Sequence, residues 1–415
     1  MTVSKLLKCD VCGKVTKVKI EVGHIEKYSA HIPCKSCGIL FHCEYKQDDE
    51  KVEMKSDFIN ATEIFDELAD YICTVTGDFI SEKVKEINSP EDEIMPPMWM
   101  KFRDMLGDEE YSKLFKKRIP ILKSVNKEIQ YQWARIMDLW INKQKYFFDL
   151  QMKYLYDDRS FDTNEQERLS LVRKLTTDVL SEIYFESEYE EYLETIRNNL
   201  RKLVRKYPEK FQEFLVDVND MGLLEQSERI LYEQIKRIIG YIPELIPVFS
   251  LALVDEKSKD ILFNKDFSLG IYTIDFETIK LLYQDLYETN AKVLFIPVCL
   301  DNLLNRGDYN AFIDNKFKSL KKYVDEWKTF SKIDAIENNT VFAKRSKECL
   351  DNKLRNCIGH CSYEVDNIRQ VITYKNGEKT LLNVAYYCYE LGLATFENFC
   401  VVTLLHEILL SNKLK

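Results

Sequence analysis

The pattern of apolar and polar positions divides the chain into a short N-terminal part and a much longer remainder. Between residues 14 and 31 the segment KVTKVKIEVGHIEKYSAH alternates apolar and polar residues and contains many β-branched side chains, which predicts short β-strands. From residue 61 onward apolar residues recur at steps of three and four, beginning with ATEIFDELADYICTVTGDFISEKVKEI, which predicts helices. We therefore predict a mostly α protein with a small β module at its N-terminus.

The helical pattern continues over residues 111–156, 166–206 and 275–304, and a final helix is predicted over residues 388–410. Before that last helix, Asn376 and Gly377 stand between two alternating apolar runs, which predicts a β-hairpin. A chain of 415 residues is too long for one ordinary core. We divide it into residues 1–50, a helical middle region of unknown role over 51–270, and a helical C-terminal domain with the hairpin over 271–415.

Composition narrows the function classes only a little. The chain is 45% apolar and carries a net charge of −10, which argues against indiscriminate binding to nucleic acid but leaves room for a local basic site. We find no signal peptide and no apolar run of the length of a membrane span, so we expect a cytoplasmic protein. In that compartment the 12 cysteines are reduced, and paired cysteines indicate metal binding before disulfides.

Two cysteine pairs flank the alternating segment. They are Cys9 and Cys12 in CDVCGK, and Cys34 and Cys37 in CKSCGI, with 21 residues between the pairs. Two residues between cysteines let both thiolates reach one ion from a tight turn, and the following glycine permits that turn. Four thiolates complete a tetrahedral site and leave no position for a substrate, so we predict a structural Zn²⁺ bound by all four cysteines.

This N-terminal module resembles a zinc ribbon. A thioredoxin-like redox pair is the alternative for a single pair of this spacing, and the duplication argues against it. Cys43, His24, His31 and His42 are substitute ligands that we rank below the four cysteines. Eight lysines against four acids in residues 1–46 are compatible with a nucleic-acid or protein partner for the ribbon.

A second candidate site lies in the segment LRNCIGHCSYE, residues 354–364. His360 stands five residues after Arg355, and Asn356 directly follows the arginine, in a chain with only five histidines. Histidine can accept or donate a proton near neutral pH, and arginine can hold a phosphate through two parallel hydrogen bonds. Metal-free RNA cleavage needs these groups, because one proton leaves a 2′-hydroxyl and another reaches the departing 5′-oxygen. Asn356 would orient the histidine or the phosphate.

Arg355, Asn356 and His360 together match the arginine, polar residue and histidine signature of HEPN domains (higher eukaryotes and prokaryotes nucleotide-binding). Residues 271–415 have the size of that family's helical bundle. The resemblance implies a metal-independent endoribonuclease that acts on RNA as a homodimer, with two copies of the motif in one cleft and no catalytic metal. It also implies a toxin or a role in prokaryotic antiphage defence by abortive infection, with a phage-derived trigger or a neutralising partner.

Other interpretations of the same residues stay open at this point. Arg355 can pair with an acid such as Asp351, and His360 can be an ordinary core or surface residue. A non-catalytic RNA- or protein-binding module is the alternative function. Two basic stretches, residues 111–148 with nine basic and two acidic residues and residues 197–206, are typical of RNA-binding surfaces but more often of amphipathic helices, and we favour the latter.

Overall fold

The computed structural model describes residues 2–48, 51–54, 58–109, 111–112, 115–116, 129–156, 164–183, 187–249, 251, 263–264, 268–313, 316–326, 328–336, 339, 341–343 and 345–413. The N-terminal part consists of strands, as predicted. They are β1 (Thr2–Cys9), β2 (Val15–Glu21), β3 (Lys27–Pro33), β4 (Leu40–Asp48), β5 (Lys51–Met54), β6 (Ala61–Ile64), β7 (Tyr71–Thr76), β8 (Ser81–Glu82) and β9 (Lys85–Glu86). One sheet has the order β6-β1-β2-β7-β9 and a second has the order β3-β4-β5.

Helices occupy most of the remaining described chain, which confirms the mostly α class. They are α1 (Met98–Leu106), α2 (Ile129–Ile141), α3 (Lys145–Tyr156), α4 (Glu165–Ile183), α5 (Ser187–Lys206), α6 (Pro208–Asp220), α7 (Leu223–Gly240), α8 (Ile242–Phe249), α9 (Phe276–Val293), α10 (Phe295–Arg306), α11 (Leu320–Val324), α12 (Thr329–Asp334), α13 (Ser346–Cys349), α14 (Asn352–Gly359) and α15 (Leu381–Lys413). The later strands are β10 (Leu269–Gly270), which pairs with β8, and the meander β11 (Tyr363–Asp366), β12 (Val371–Tyr374) and β13 (Gly377–Thr380).

The helical prediction for residues 61–87 is wrong, because this segment forms β6 to β9. The sequence YICTVT is rich in β-branched residues, and all but its first residue are buried in β7. β7 pairs in parallel with β2 and antiparallel with β9, and side chains on both of its faces are buried, so its apolar residues show no clean alternation. A short, doubly buried strand cannot be told from a helix by periodicity alone.

The longest helix, α15, lies at the centre of the helical part. It packs against α4, α7, α8 and α9. By length and composition, Leu381–Ser411 is apolar enough to cross a membrane, so the expectation that no segment reaches that length is wrong. However, 72% of its apolar window is buried inside the protein, which is the environment of a core helix.

The predicted hairpin is confirmed, and it explains where α15 begins. Asn376 has φ +68° in the turn between β12 and β13. After β13, the Asn383 backbone N–H donates to the Thr380 hydroxyl at 3.0 Å, and the Thr380 backbone N–H donates to the Asn383 side chain at 3.2 Å. This reciprocal cap starts the helix at Leu381, seven residues before the predicted position.

Residues 271 and 272 form hydrogen bonds both with the β module and with the C-terminal meander, which also contacts the second cysteine turn. The His31 backbone N–H in β3 donates to the carbonyl of Tyr272 at 2.8 Å. The Gln370 side chain donates to the carbonyl of Ile271 and accepts from its N–H, at 2.6 and 3.0 Å. Asn367 donates to the carbonyl of Gly38 at 3.1 Å. Residues 268–275 therefore connect the β module to the helices that carry the second candidate site.

Candidate functional sites

The two cysteine pairs lie on two tight turns that face each other. The first turn follows β1, and the second follows β3. Gly13 and Gly38 occupy equivalent positions with φ +74° and +76°, and each donates its backbone N–H to the carbonyl of the first cysteine of its pair. This left-handed conformation is easily adopted only by glycine, which explains the CxxCG sequence of both turns.

The four thiols form one compact cluster. The Sγ atoms of Cys9 and Cys37 are 3.7 Å apart, those of Cys12 and Cys34 are 3.5 Å apart, and all four lie within 4.8 Å of one another. Tetrahedral zinc with Zn–S bonds of about 2.3 Å requires sulfur atoms about 3.8 Å apart. The side chains therefore fit a zinc ion with almost no rearrangement, and the donor set is that of a structural site.

Burial raises the pKa of the Cys34 thiol to about 12 and also raises that of the Cys37 thiol, so the thiols of the cluster differ in their tendency to ionise. Burial of the Cys12 thiol opposes ionisation, but hydrogen bonds from the Lys14 backbone and from the neighbouring thiols lower its pKa to about 7. Cys43 and His24, which the sequence offered as substitute ligands, form contacts outside the thiol cluster. Cys43 is buried, with its thiol directed to the carbonyl of Ala30, and His24 bonds to Asp78 at 2.9 Å.

The second candidate site is built on the short helix α14. Asp351 caps it by accepting from the backbone N–H groups of Lys353 and Leu354, at 2.9 and 3.0 Å. Asp351 is thus a capping residue, and Arg355 pairs with Glu288 of α9 instead. The Arg355 Nε and Nη2 atoms lie 2.7 and 2.5 Å from the same oxygen, Oε1 of Glu288.

Asn356 holds the other side of the guanidinium. Its Oδ1 accepts from Nη1 of Arg355 at 3.2 Å. The Arg355 and Glu288 side chains are 30% and 31% exposed, so the pair lies at the surface and its charges are partly screened. The structure thus brings Arg355 and Asn356 together, with Glu288 as a third member that the sequence did not indicate.

His360 is exposed at the C-terminal end of α14 and not inside the helix. Its backbone N–H donates to the carbonyl of Asn356 at 3.0 Å, which completes the last turn. Among the residues that the structure describes, none forms a hydrogen bond with its imidazole ring. A Cβ placed on the preceding residue, Gly359, would lie 3.7 Å from Nη1 of Arg355, so the guanidinium lies alongside the segment that leads to His360.

Cys357, in the same helix, is not a candidate nucleophile. Burial, with a smaller effect from the charge of Asp351, raises the pKa of this thiol to about 11. The ionisable side chains of α14 that remain accessible are those of Lys353, Arg355 and, at its end, His360.

The structure adds one cluster that the sequence did not indicate and completes another that it indicated in part. His31, His42 and Asp275 have ligand atoms within 4.8 Å of one another. Along α5, Arg197, Arg201 and Arg205 line one surface depression with Arg173 of α4. The arginine spacing of four was visible in the sequence, but the contribution of α4 required the helix packing. In the described part of the other basic stretch, Trp133 and Phe148 are buried and Lys143 and Lys145 form surface ion pairs, as expected of amphipathic helices.

No protein-family model, curated protein or solved structure matches this chain.

Proposed function

We propose that this protein is a metal-independent endoribonuclease of HEPN type. The observation that supports it is the arrangement at the end of α14, where an exposed imidazole follows a guanidinium that two neighbours hold in place. The proposed reaction cleaves RNA to a 2′,3′-cyclic phosphate and a 5′-hydroxyl. The cysteine cluster binds a structural zinc, and no metal takes part in the reaction.

Arg355 is suited to bind the phosphate that reacts. A guanidinium has five N–H groups. Glu288 accepts from Nε and from one N–H of Nη2, and Asn356 accepts from one N–H of Nη1. One N–H on each terminal nitrogen remains for the non-bridging oxygens of a phosphate, which gain negative charge as the 2′-oxygen attacks phosphorus. Glu288 and Asn356 are then positioning residues.

His360 moves the protons. One imidazole takes the proton from the 2′-hydroxyl as the new P–O bond forms, and another gives a proton to the 5′-oxygen as its bond to phosphorus breaks. Each chain supplies one His360, so the two roles require a second copy of the chain. We therefore propose a homodimer with both His360 rings at one scissile phosphate.

The biological setting proposed here is the cytoplasm of a prokaryote, where uncontrolled RNA cleavage would stop growth. Such an enzyme acts as a toxin or in antiphage defence by abortive infection, and it requires a phage-derived trigger or a neutralising partner. Expression of the wild-type chain is then expected to arrest growth, and expression of the His360→Ala chain is not.

The proposal is tested by incubating purified protein with RNA in buffer without added divalent cations. We expect internal cuts, with 2′,3′-cyclic phosphate on one fragment and 5′-hydroxyl on the other, identified by enzymatic end-labelling. Products with 5′-phosphate ends would indicate a different chemistry, and RNA that stays intact under all conditions tested would overturn the proposal.

Replacing Arg355 by lysine separates its charge from its geometry. Lysine keeps the positive charge but cannot hold Glu288, Asn356 and a phosphate at once. We expect the cleavage rate to fall by about tenfold or more, while RNA affinity changes by less than about threefold. Rates and affinities are compared with those of Arg306→Lys, an exchange at an arginine that pairs with Asp301. Equal rates in both variants would contradict the role of Arg355.

A second candidate function is RNA binding without cleavage, and the basic surface of α5 supports it. Arg197, Arg201 and Arg205 are spaced by one helical turn, and Lys202 lines an adjoining depression. Among the described residues, Arg205 and Lys202 form no ion pair, so both are available for phosphates. RNA that binds to this surface and is never cut would favour this function over the enzyme.

A further inference from the structure

Three side chains of the kinds that bind metal ions meet where the β module contacts the first helix of residues 271–415. His31 in β3 and His42 in β4 are direct cross-strand partners, so their side chains leave the same face of the hairpin. Asp275 is the residue that precedes α9. The three side chains are half-buried, and Asp275 is far in the sequence from the two histidines.

The distances between the donor atoms are close to those of a coordination sphere. Nδ1 of His31 lies 2.7 Å from Nδ1 of His42 and 3.7 Å from Oδ2 of Asp275. Zinc bound by nitrogen and carboxylate oxygen at about 2.0–2.1 Å requires neighbouring donors about 3.3 Å apart. The two imidazoles need to separate by about half an ångström, which small side-chain rotations provide, and Asp275 needs to approach by a similar amount.

The two carboxylate oxygens of Asp275 have different contacts. Oδ1 accepts the backbone N–H of Thr278 at 2.8 Å and thereby caps α9. Capping explains why an aspartate or asparagine stands here, but it does not explain why Oδ2 faces two histidines. A carboxylate oxygen and two imidazole nitrogens are a ligand set that divalent transition metals prefer.

We infer that His31, His42 and Asp275 bind a divalent transition metal ion, with zinc the first candidate, and that this ion fastens the β3–β4 hairpin to the start of α9. Three protein ligands leave a position for water. His31 and Asp275 also line a small cavity, together with apolar residues and with Asn367 and Gln370 of the C-terminal meander. The inference does not depend on the proposed ribonuclease activity.

The test is the metal content of the full chain, freed of any affinity tag, after dialysis against excess Zn²⁺ and then against metal-free buffer. We expect two zinc ions per wild-type chain and one per His42→Ala chain. Asp275→Asn keeps the helix cap, because asparagine caps as well as aspartate, but loses the charged ligand. We expect this variant to fold normally and to bind the second ion at least about tenfold more weakly.

Asp351→Asn is the matched control, since it makes the same exchange at the helix cap of α14. It should keep two ions. Substitution with Co²⁺ provides a second readout, because the histidine site adds ligand-field absorption without the thiolate charge-transfer bands of the cysteine site. A wild-type chain that binds one ion only, or an Asp275→Asn chain with undiminished affinity for two, would overturn the inference and leave a hydrogen-bonded histidine pair.

Discussion

Replacing Cys34 by serine is expected to remove one bound zinc ion from each chain and to unfold the two cysteine turns. Serine keeps the size of the side chain but is a poor zinc ligand, and three thiolates hold the ion far less tightly than four. Cys9 and Cys34 anchor the turns in the core, but the outer half of each turn has little apolar contact, because Cys12, Gly13 and Cys37 are exposed. We therefore expect zinc coordination to supply much of the stability of these turns. We expect a loss of about 3–5 kcal/mol in the free energy of unfolding of the β module.

Metal analysis and amide hydrogen exchange over residues 9–14 and 34–39 provide the measurements. Cys361→Ser is the matched control, because Cys361 is exposed and lies outside the cluster. This control should keep its zinc and its protection from exchange. A Cys34→Ser chain with undiminished zinc content would show that the four thiols are not the ligands.

The second large effect is expected at His360. Loss of a side chain that transfers a proton in the rate-limiting step lowers the rate by about 10²–10⁴-fold, so we expect the cleavage rate of His360→Ala to fall within that range. RNA affinity should stay within about threefold of wild type, because the proposed contacts to the phosphate come from Arg355. His360 is exposed at a helix end, so its replacement should leave the unfolding temperature nearly unchanged.

Single-turnover cleavage rates, RNA affinity and thermal unfolding are measured on the same preparations. Lys353→Ala is the control, since it removes an exposed basic side chain from the same helix. It should cleave RNA at close to the wild-type rate. If His360→Ala and Lys353→Ala cleave RNA equally well, the proton transfer must be assigned to another group.

Local sequence patterns predicted the features that depend on residues close together in the chain. The CxxCG spacing was sufficient to place four thiols in one cluster, because each turn is defined by its own cysteines and glycine. The Asn376–Gly377 turn was predicted for the same reason. The sequence did not indicate contacts between residues that are far apart in the chain. Glu288 reaches Arg355 only because α9 packs beside α14, and Asp275 reaches His31 only because β3 contacts residues 272–275.

The wrong secondary-structure predictions also arose where tertiary contacts or a local cap determine the element and the apolar pattern does not. The pattern over β7 predicted a helix because side chains on both faces of this strand are buried, which removes the alternation that identifies a strand. The length of α15 was underestimated because its first turn is fixed by the Thr380–Asn383 cap, while its apolar residues continue from the preceding hairpin without a break. The HEPN-type function and the division into domains stay predictions.

The central claim is that two chains place their His360 rings at one scissile phosphate. It is tested most directly by the cleavage rates of purified dimers that carry wild-type His360 in both chains, in one chain or in neither. We expect the mixed dimer to be nearly as slow as the double variant, because one of the two proton transfers is missing. A mixed dimer that keeps half of the wild-type rate, or a wild-type dimer that leaves RNA intact, would contradict the claim.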